Sequence, residues 1–209
     1  MKIAVVCANG KAGQAITQEL VNRGEEVTAI VRSANKSQAQ RAVIKDIFAI
    51  TAADLEPFDV IIDAFGAWTA DTLPQLPQSL EHLCDILSGS PARLLVVGGA
   101  GSLFTNAEHT ACVADAPDFP DIFKPVAEAH AQALALLRKR QDVQWTYVSP
   151  ACDFQADGER TGKYLLGGEE LLLNPQGESV ISYADYAVAM ADEALSGNHV
   201  RQRISVVKA

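Results

Sequence analysis

The junction between the first strand and the first helix constrains this chain more than any other feature. Lys2 to Cys7 is a short apolar, β-branched run of the kind a parallel strand needs when helices cover both its faces. Asn9-Gly10-Lys11-Ala12-Gly13 follows at once, and Ala12, Ile16, Leu20 and Val21 then recur at helical spacing. Such a junction gathers unpaired backbone N–H groups and the positive end of a helix dipole at one point. Glycine there lets the backbone approach a ligand and lets the helix pack closely on the strand. Gly10 and Gly13 take the second and third places of a G-x-x-G-x-x-G pattern, and Cys7 takes the first. The residues Asn9, Gly10, Lys11, Ala12 and Gly13 are therefore expected to hold the pyrophosphate of a dinucleotide. Cys7 is tolerable in its place if the backbone there does not need a positive φ.

Strand and helix patterns alternate along the rest of the chain. Gly24 is placed to stop the first helix. Strands are expected at Val27–Val31, Ala42–Ile44, Val60–Phe65, Arg93–Val97, Gln144–Val148 and Arg203–Val207. Helices are expected at Ser37–Arg41, Leu76–Ser88, 121–140 and from Ser182 to Leu195, the last with Asp185 completing a capping-box-like start. Residues 151–180, rich in glycine, read as loops and short strands above the carboxyl ends of the sheet. The pattern implies an α/β, doubly wound Rossmann-type fold: a parallel sheet, helices on both faces and a small C-terminal cap. No linker or repeat divides the chain, so residues 1–209 are expected to form one domain.

Bulk properties exclude some partners. A net charge of −9 argues against nucleic acid, which needs clustered Lys and Arg. No apolar run approaches the roughly 20 residues of a membrane span, and the N-terminus lacks a signal-like segment. Cys7, Cys84, Cys112 and Cys152 show no metal-ligand spacing and read as free thiols in a reducing compartment. The expectation is a cytoplasmic protein without metal. Nothing in the pattern excludes a homodimer.

The end of the second strand separates two nicotinamide cofactors. An NAD site usually places a carboxylate there, on the ribose 2′-hydroxyl. This chain has Val31-Arg32-Ser33, with Lys36 close behind. The planar fork of Arg32, aided by the Ser33 hydroxyl, suits a 2′-phosphate, which favours NADP over NAD.

These segments together resemble a known group. Ala8-Asn9-Gly10-Lys11-Ala12-Gly13, Val31-Arg32-Ser33, Lys45-Asp46-Ile47-Phe48, Val96–Leu103, Gly158–Tyr164 and Ile181–Ala187 are similar to the atypical short-chain dehydrogenase/reductases. Within that group the likeness is to small bacterial NADH-flavin reductases. NmrA-like proteins and the mammalian biliverdin/flavin reductase are more distant. The resemblance spans essentially the whole chain. It implies hydride transfer from a nicotinamide to flavin, with flavin as substrate and not as resident cofactor. It also implies further cofactor contacts. Asp46 and Ile47 would border the adenine, and Ala64, Phe65 and Gly66 the ribose and phosphates. Val97 and Gly98 would pass beneath the nicotinamide, with Ser149, Pro150 and Ala151 beside its carboxamide.

The catalytic residues of the wider superfamily are partly missing. Orthodox members carry Tyr-x-x-x-Lys on the helix after the fifth strand, but residues 121–140 contain no tyrosine. Flavin reduction needs less, because ring alignment is the main task. Ser102 and His130 are the candidate catalytic pair, His130 as a proton relay. Phe65, Trp68 and Phe104 are candidates for an apolar floor under a flavin or quinone. Arg160, Lys163 and Tyr164 read either as contacts to a flavin phosphate or as a structural cap, and Glu169 and Glu170 as solvated. Two readings stay open: a reductase of free flavin or a similar planar acceptor, and a non-catalytic NADP-binding redox sensor of NmrA-like type. An epimerase or dehydratase acting on a sugar nucleotide fits least, since it needs the missing tyrosine.

Overall fold

The computed structural model describes residues 1–209. Eight strands form one sheet: β1 (Lys2–Val6), β2 (Glu26–Val31), β3 (Arg41–Ile44), β4 (Val60–Asp63), β5 (Arg93–Val97), β6 (Gln144–Ser149), β8 (Tyr164–Gly167) and β10 (Gln202–Lys208). Their order is β3-β2-β1-β4-β5-β6-β10-β8. Successive residues of β1 point to opposite faces, and both faces are dry. Ile3 and Val5 join one buried apolar cluster, while Ala4 and Val6 join the other. This is why the strand reads as a continuous apolar run and not as an alternating one. Helices α1 (Lys11–Asn22) and α5 (Tyr183–Ser196) cover the first face. The short α2 (Ala52–Leu55), α3 (Gln75–Ile86) and α4 (Lys124–Leu137) cover the second. Mostly parallel strands with helices on both faces make the doubly wound arrangement expected from the sequence. No helix is long and apolar enough to cross a membrane.

Several local expectations change. Ser37–Arg41 is not helical. The Asn35 carboxamide oxygen accepts from the Ser37 N–H at 2.9 Å and its hydroxyl at 2.7 Å, so side chains take the bonds a helix would need. β4 ends two residues early, because the Asp63 carboxylate accepts from the Phe65 N–H at 3.0 Å and turns the chain. The helix expected over 121–140 begins with a 3-10 turn at Asp121–Phe123, then α4 starts with Pro125 in its first turn. The sheet is not wholly parallel, since β8 runs antiparallel to β10 at one edge. The rest of the C-terminal segment forms a separate parallel pair, β7 (Asp153–Gln155) with β9 (Val180–Ser182).

At α5 the capping expectation is half met. The Ser182 hydroxyl accepts from the Asp185 N–H at 3.0 Å. The Asp185 carboxylate turns elsewhere, accepting from the Thr161 N–H and hydroxyl and the Gly162 N–H at 2.6–2.8 Å. It fastens the 158–164 segment to the start of the helix.

Candidate functional site

β1 lies between β2 and β4, so the chain leaves it in opposite directions on either side. That switch point opens a crevice at the carboxyl ends of the strands, the usual ligand position in open α/β sheets. Gly10 is the N-cap of α1 and no side chain caps that end. The amides of residues 11–13 accordingly keep the free N–H groups of a helix start. Gly13 is required by contact, because a Cβ there would stand 2.7 Å from the Cys7 carbonyl oxygen and 2.8 Å from the Ala8 Cα. Cys7 adopts φ 60, so the left-handed conformation that its substitution for glycine was expected to avoid is present. Burial pushes its thiol up to about 12, with the Asp63 carboxylate adding to the shift.

The Asn9 side chain is tied to the loop after β2. Its Nδ2 donates to the Ala34 carbonyl at 2.9 Å, and its Oδ1 accepts from the Lys36 N–H at 2.7 Å. Gln14 Nε2 reaches its carbonyl oxygen at 2.7 Å. The turn before α1 is thus pinned to the loop after β2, which carries Arg32, Ser33 and Lys36. All three are exposed, and neither cation has a carboxylate partner. Arg32 and Asp46 both lie near enough to Cys7 to act on its thiol, in opposite senses. Asp46 caps the 3-10 turn Ile47–Ala49 by accepting from the Phe48 N–H at 3.0 Å, with Ile47 buried beside it.

Beyond β4, Ala64 is buried, Phe65 is half-buried and Gly66 is exposed. Asp63, at the strand end, was not singled out from the sequence. Burial lifts its carboxyl to about 6, against one stabilising bond from the Phe65 N–H. The available signal was an acid closing the run Val-Ile-Ile.

The loop after β5 rests on aromatic rings. A Cβ on Gly98 would stand 2.4 Å from the Tyr147 ring, one on Gly99 2.9 Å from His130, and one on Gly101 2.7 Å from Ala127. Val97 is half-buried and Gly98 buried. The Gly99 N–H donates to the Tyr147 hydroxyl at 3.0 Å, and His130 Nδ1 meets the same hydroxyl at 3.2 Å. Burial lowers the His130 ring to about 4, so it is neutral at neutral pH. Tyr147, fully buried on β6, is a second residue that the sequence reading missed.

Ser102 and His130 are not bonded to each other. The Ser102 carbonyl and hydroxyl oxygens both accept from Arg203 Nη1 at 2.9 Å. Arg203, wholly buried on β10, also pairs with Glu169 and stands 5.6 Å above the Phe104 ring. Glu169 also meets Arg138, so it is a structural ion-pair partner and not a solvated acid. On β6 and just beyond, Ser149, Pro150 and Ala151 are all buried, and the Ser149 hydroxyl has no partner within the chain.

The other candidates fall outside this grouping. Phe104 stacks on His109 at 4.3 Å, while Trp68 is 71% exposed, so Phe65, Trp68 and Phe104 form no common floor. Arg160 bonds the buried Glu19 through two nitrogens at 3.0 Å, and Tyr164 donates to Asp192 at 2.8 Å. Both serve the cap. No cluster of His, Cys, Asp and Glu has the form of a metal site.

A glycine turn and an uncapped helix start at the switch point of a doubly wound sheet mark a Rossmann-type fold. The chain belongs to the NAD(P)H-binding family, whose model matches residues 7–194. It is 53% identical to a Streptococcus pneumoniae protein provisionally named an NADH-flavin reductase, with a TM-score of 0.98 and full coverage of both chains. It is 42% identical to the uncharacterized protein YwnB of Bacillus subtilis over 99% of this chain and 98% of that one. A Bacteroides thetaiotaomicron protein provisionally called an epimerase is 31% identical, with a TM-score of 0.86 over 99% of this chain and 96% of the other. The fold is thus that of an NAD(P)H-binding oxidoreductase.

Proposed function

We propose that this chain is an NADPH-dependent reductase of free flavin or a similar planar acceptor such as a quinone. The observation that carries this reading is the pairing of an uncapped α1 N-terminus with Arg32, a cation without a carboxylate partner, at the end of the neighbouring strand. The first fits a pyrophosphate and the second a 2′-phosphate. The nicotinamide, when bound, supplies the hydride. Lys11, Ala12 and Gly13 offer amides to the diphosphate, while Asp46, Ile47 and Ala64–Gly66 flank the adenosine half. Val97 and Gly98 back the nicotinamide, and Ser149–Ala151 close its other side. The Ser102 hydroxyl, its oxygen already held by the Arg203 guanidinium, is polarised to donate its proton as a hydrogen bond to the acceptor. His130, neutral, takes part by hydrogen bonding and not as an acid. The name of the Streptococcus pneumoniae relative supports a flavin acceptor.

The second reading, a redox sensor that binds NADP without turnover, is favoured by Tyr147. The tyrosine nearest the reaction centre has its hydroxyl engaged by Gly99 and His130 and its proton held tightly by burial. Oxidation of NADPH in the presence of FMN, FAD or menadione decides between the two. Turnover with at least one acceptor is expected. Tight NADPH binding with no turnover on any of them would leave the sensor.

A further inference from the structure

The turn and the loop after β2 are joined by a single side chain, and this bears on how the cofactor is chosen. Asn9 spends both ends of its carboxamide on backbone 25 and 27 residues away, at 2.9 Å and 2.7 Å. Each end keeps one further position, an N–H and a lone pair, but its direction is set by these two bonds. Exposed amide bonds of this kind fix register more than they add stability, because each replaces a bond to water. Their effect is to set where residues 34–36 sit relative to the helix start. The segment between the two anchor points contains only Asn35, and Asn35 is itself folded onto Ser37 through its side chain. The loop is therefore held at Ala34, at Lys36 and again at Ser37.

The charges that loop presents are Arg32 and Lys36, both exposed and both lacking a carboxylate partner. The one acid that faces the same end of the crevice from the neighbouring strand is Asp46, and its carboxylate is occupied by the Phe48 N–H. Two cations against one engaged carboxylate leave a net positive edge beside the diphosphate amides, in a chain whose net charge is −9. The geometry points to Asn9 as a positioning residue. It fixes the Arg32–Lys36 loop so that Lys36 stands with Arg32 as a second cation for the adenosine 2′-phosphate. This rests on the NADP reading above and deepens it. Discrimination between NADP and NAD then depends on a residue of the pyrophosphate turn, which touches neither the 2′-phosphate nor the ribose.

The test measures dissociation constants of NADP⁺ and NAD⁺ by calorimetry for the wild-type chain and for Arg32→Ala, Lys36→Ala and Asn9→Ala. A point contact between ammonium and phosphate carries about tenfold in affinity. Lys36→Ala is expected to weaken NADP⁺ about that much and to leave NAD⁺ unchanged. Asn9→Ala is expected to lower the NADP⁺ over NAD⁺ preference by a similar factor. Loss of a merely structural bond would weaken both ligands alike, which would overturn the positioning role. Lys36 is exposed and unbonded through its side chain, so Lys36→Ala keeps the question answerable if Asn9→Ala folds poorly. If Arg32→Ala removes the preference while Lys36→Ala and Asn9→Ala do not, the clamp is refuted and the NADP reading stands. If Arg32→Ala leaves the preference intact, both fall together.

Discussion

At the scale of single residues, two buried titrating groups near the crevice pull stability in opposite directions. Asp63 is raised from 3.8 to about 6 by burial. Its folded form holds a proton that the unfolded chain has lost, so stability falls as pH climbs through that window. The full penalty above it is about 3 kcal/mol. His130 is lowered from 6.5 to about 4, again by burial. The unfolded chain binds its proton first as pH drops, so stability falls as pH descends through nearly the same window. The two slopes largely cancel. Asp63→Asn is expected to be more stable than wild type at pH 8 and to show stability rising with pH between 4 and 6.5. His130→Gln is expected to show the reverse slope. Urea midpoints across that range check both, and parallel profiles for the two variants would refute the assignment. Asp54, held down by its bond from Lys45, acts at lower pH and does not disturb the comparison. None of this could be read from sequence. An aspartate after Val-Ile-Ile and a histidine on a helix look ordinary until burial and the partners around them are known.

At the scale of elements, the β1–turn–α1 unit was the most legible part of the chain, because glycine spacing, strand pattern and helix pattern all agreed there. What the sequence could not show was that the turn's own asparagine ties it to the loop after β2. The helix expected at Ser37–Arg41 does not form because side-chain bonds from Asn35 and Ser37 compete locally with the backbone. Gly13 tests the closeness of the unit. A methyl group there meets the carbonyl of Cys7 and the backbone of Ala8, neither of which can swing aside as a flexible side chain would. Gly13→Ala should cost about 1–3 kcal/mol, as overpacked sites do, and weaken both NADP⁺ and NAD⁺. Denaturant midpoints and cofactor titration read the two effects. An unchanged affinity for both would show that α1 does not face the diphosphate.

At the scale of the whole molecule, Arg203 unites three distant pieces. From β10 it holds the loop after β5 through Ser102, and through Glu169 the segment beyond β8. Its position on an apolar-looking closing strand gave no hint of this. The antiparallel edge strand β8 was equally hidden inside a glycine-rich stretch. Fold class was legible because strand and helix periods survive any detail of packing. The long-range polar ties were not, since they depend on which loops meet. Arg203→Met removes a buried cation and leaves Glu169 partly shielded. A loss of about 3 kcal/mol is expected, with Phe104 and its neighbours loosened, as thermal unfolding and hydrogen exchange at residues 102–105 would record. A variant as stable as wild type would mean that the ties are incidental.

Cys7 sits directly beneath the phosphate turn, and its thiol is pushed up to about 12. Peroxide attacks thiolates and not thiols. The Cys7 sulfur is thus kept in its inert form by the same burial that packs the helix onto the strand. Cys84, Cys112 and Cys152 are pushed up by burial as well, so none of the four sulfurs is held as the thiolate that an oxidant would seek.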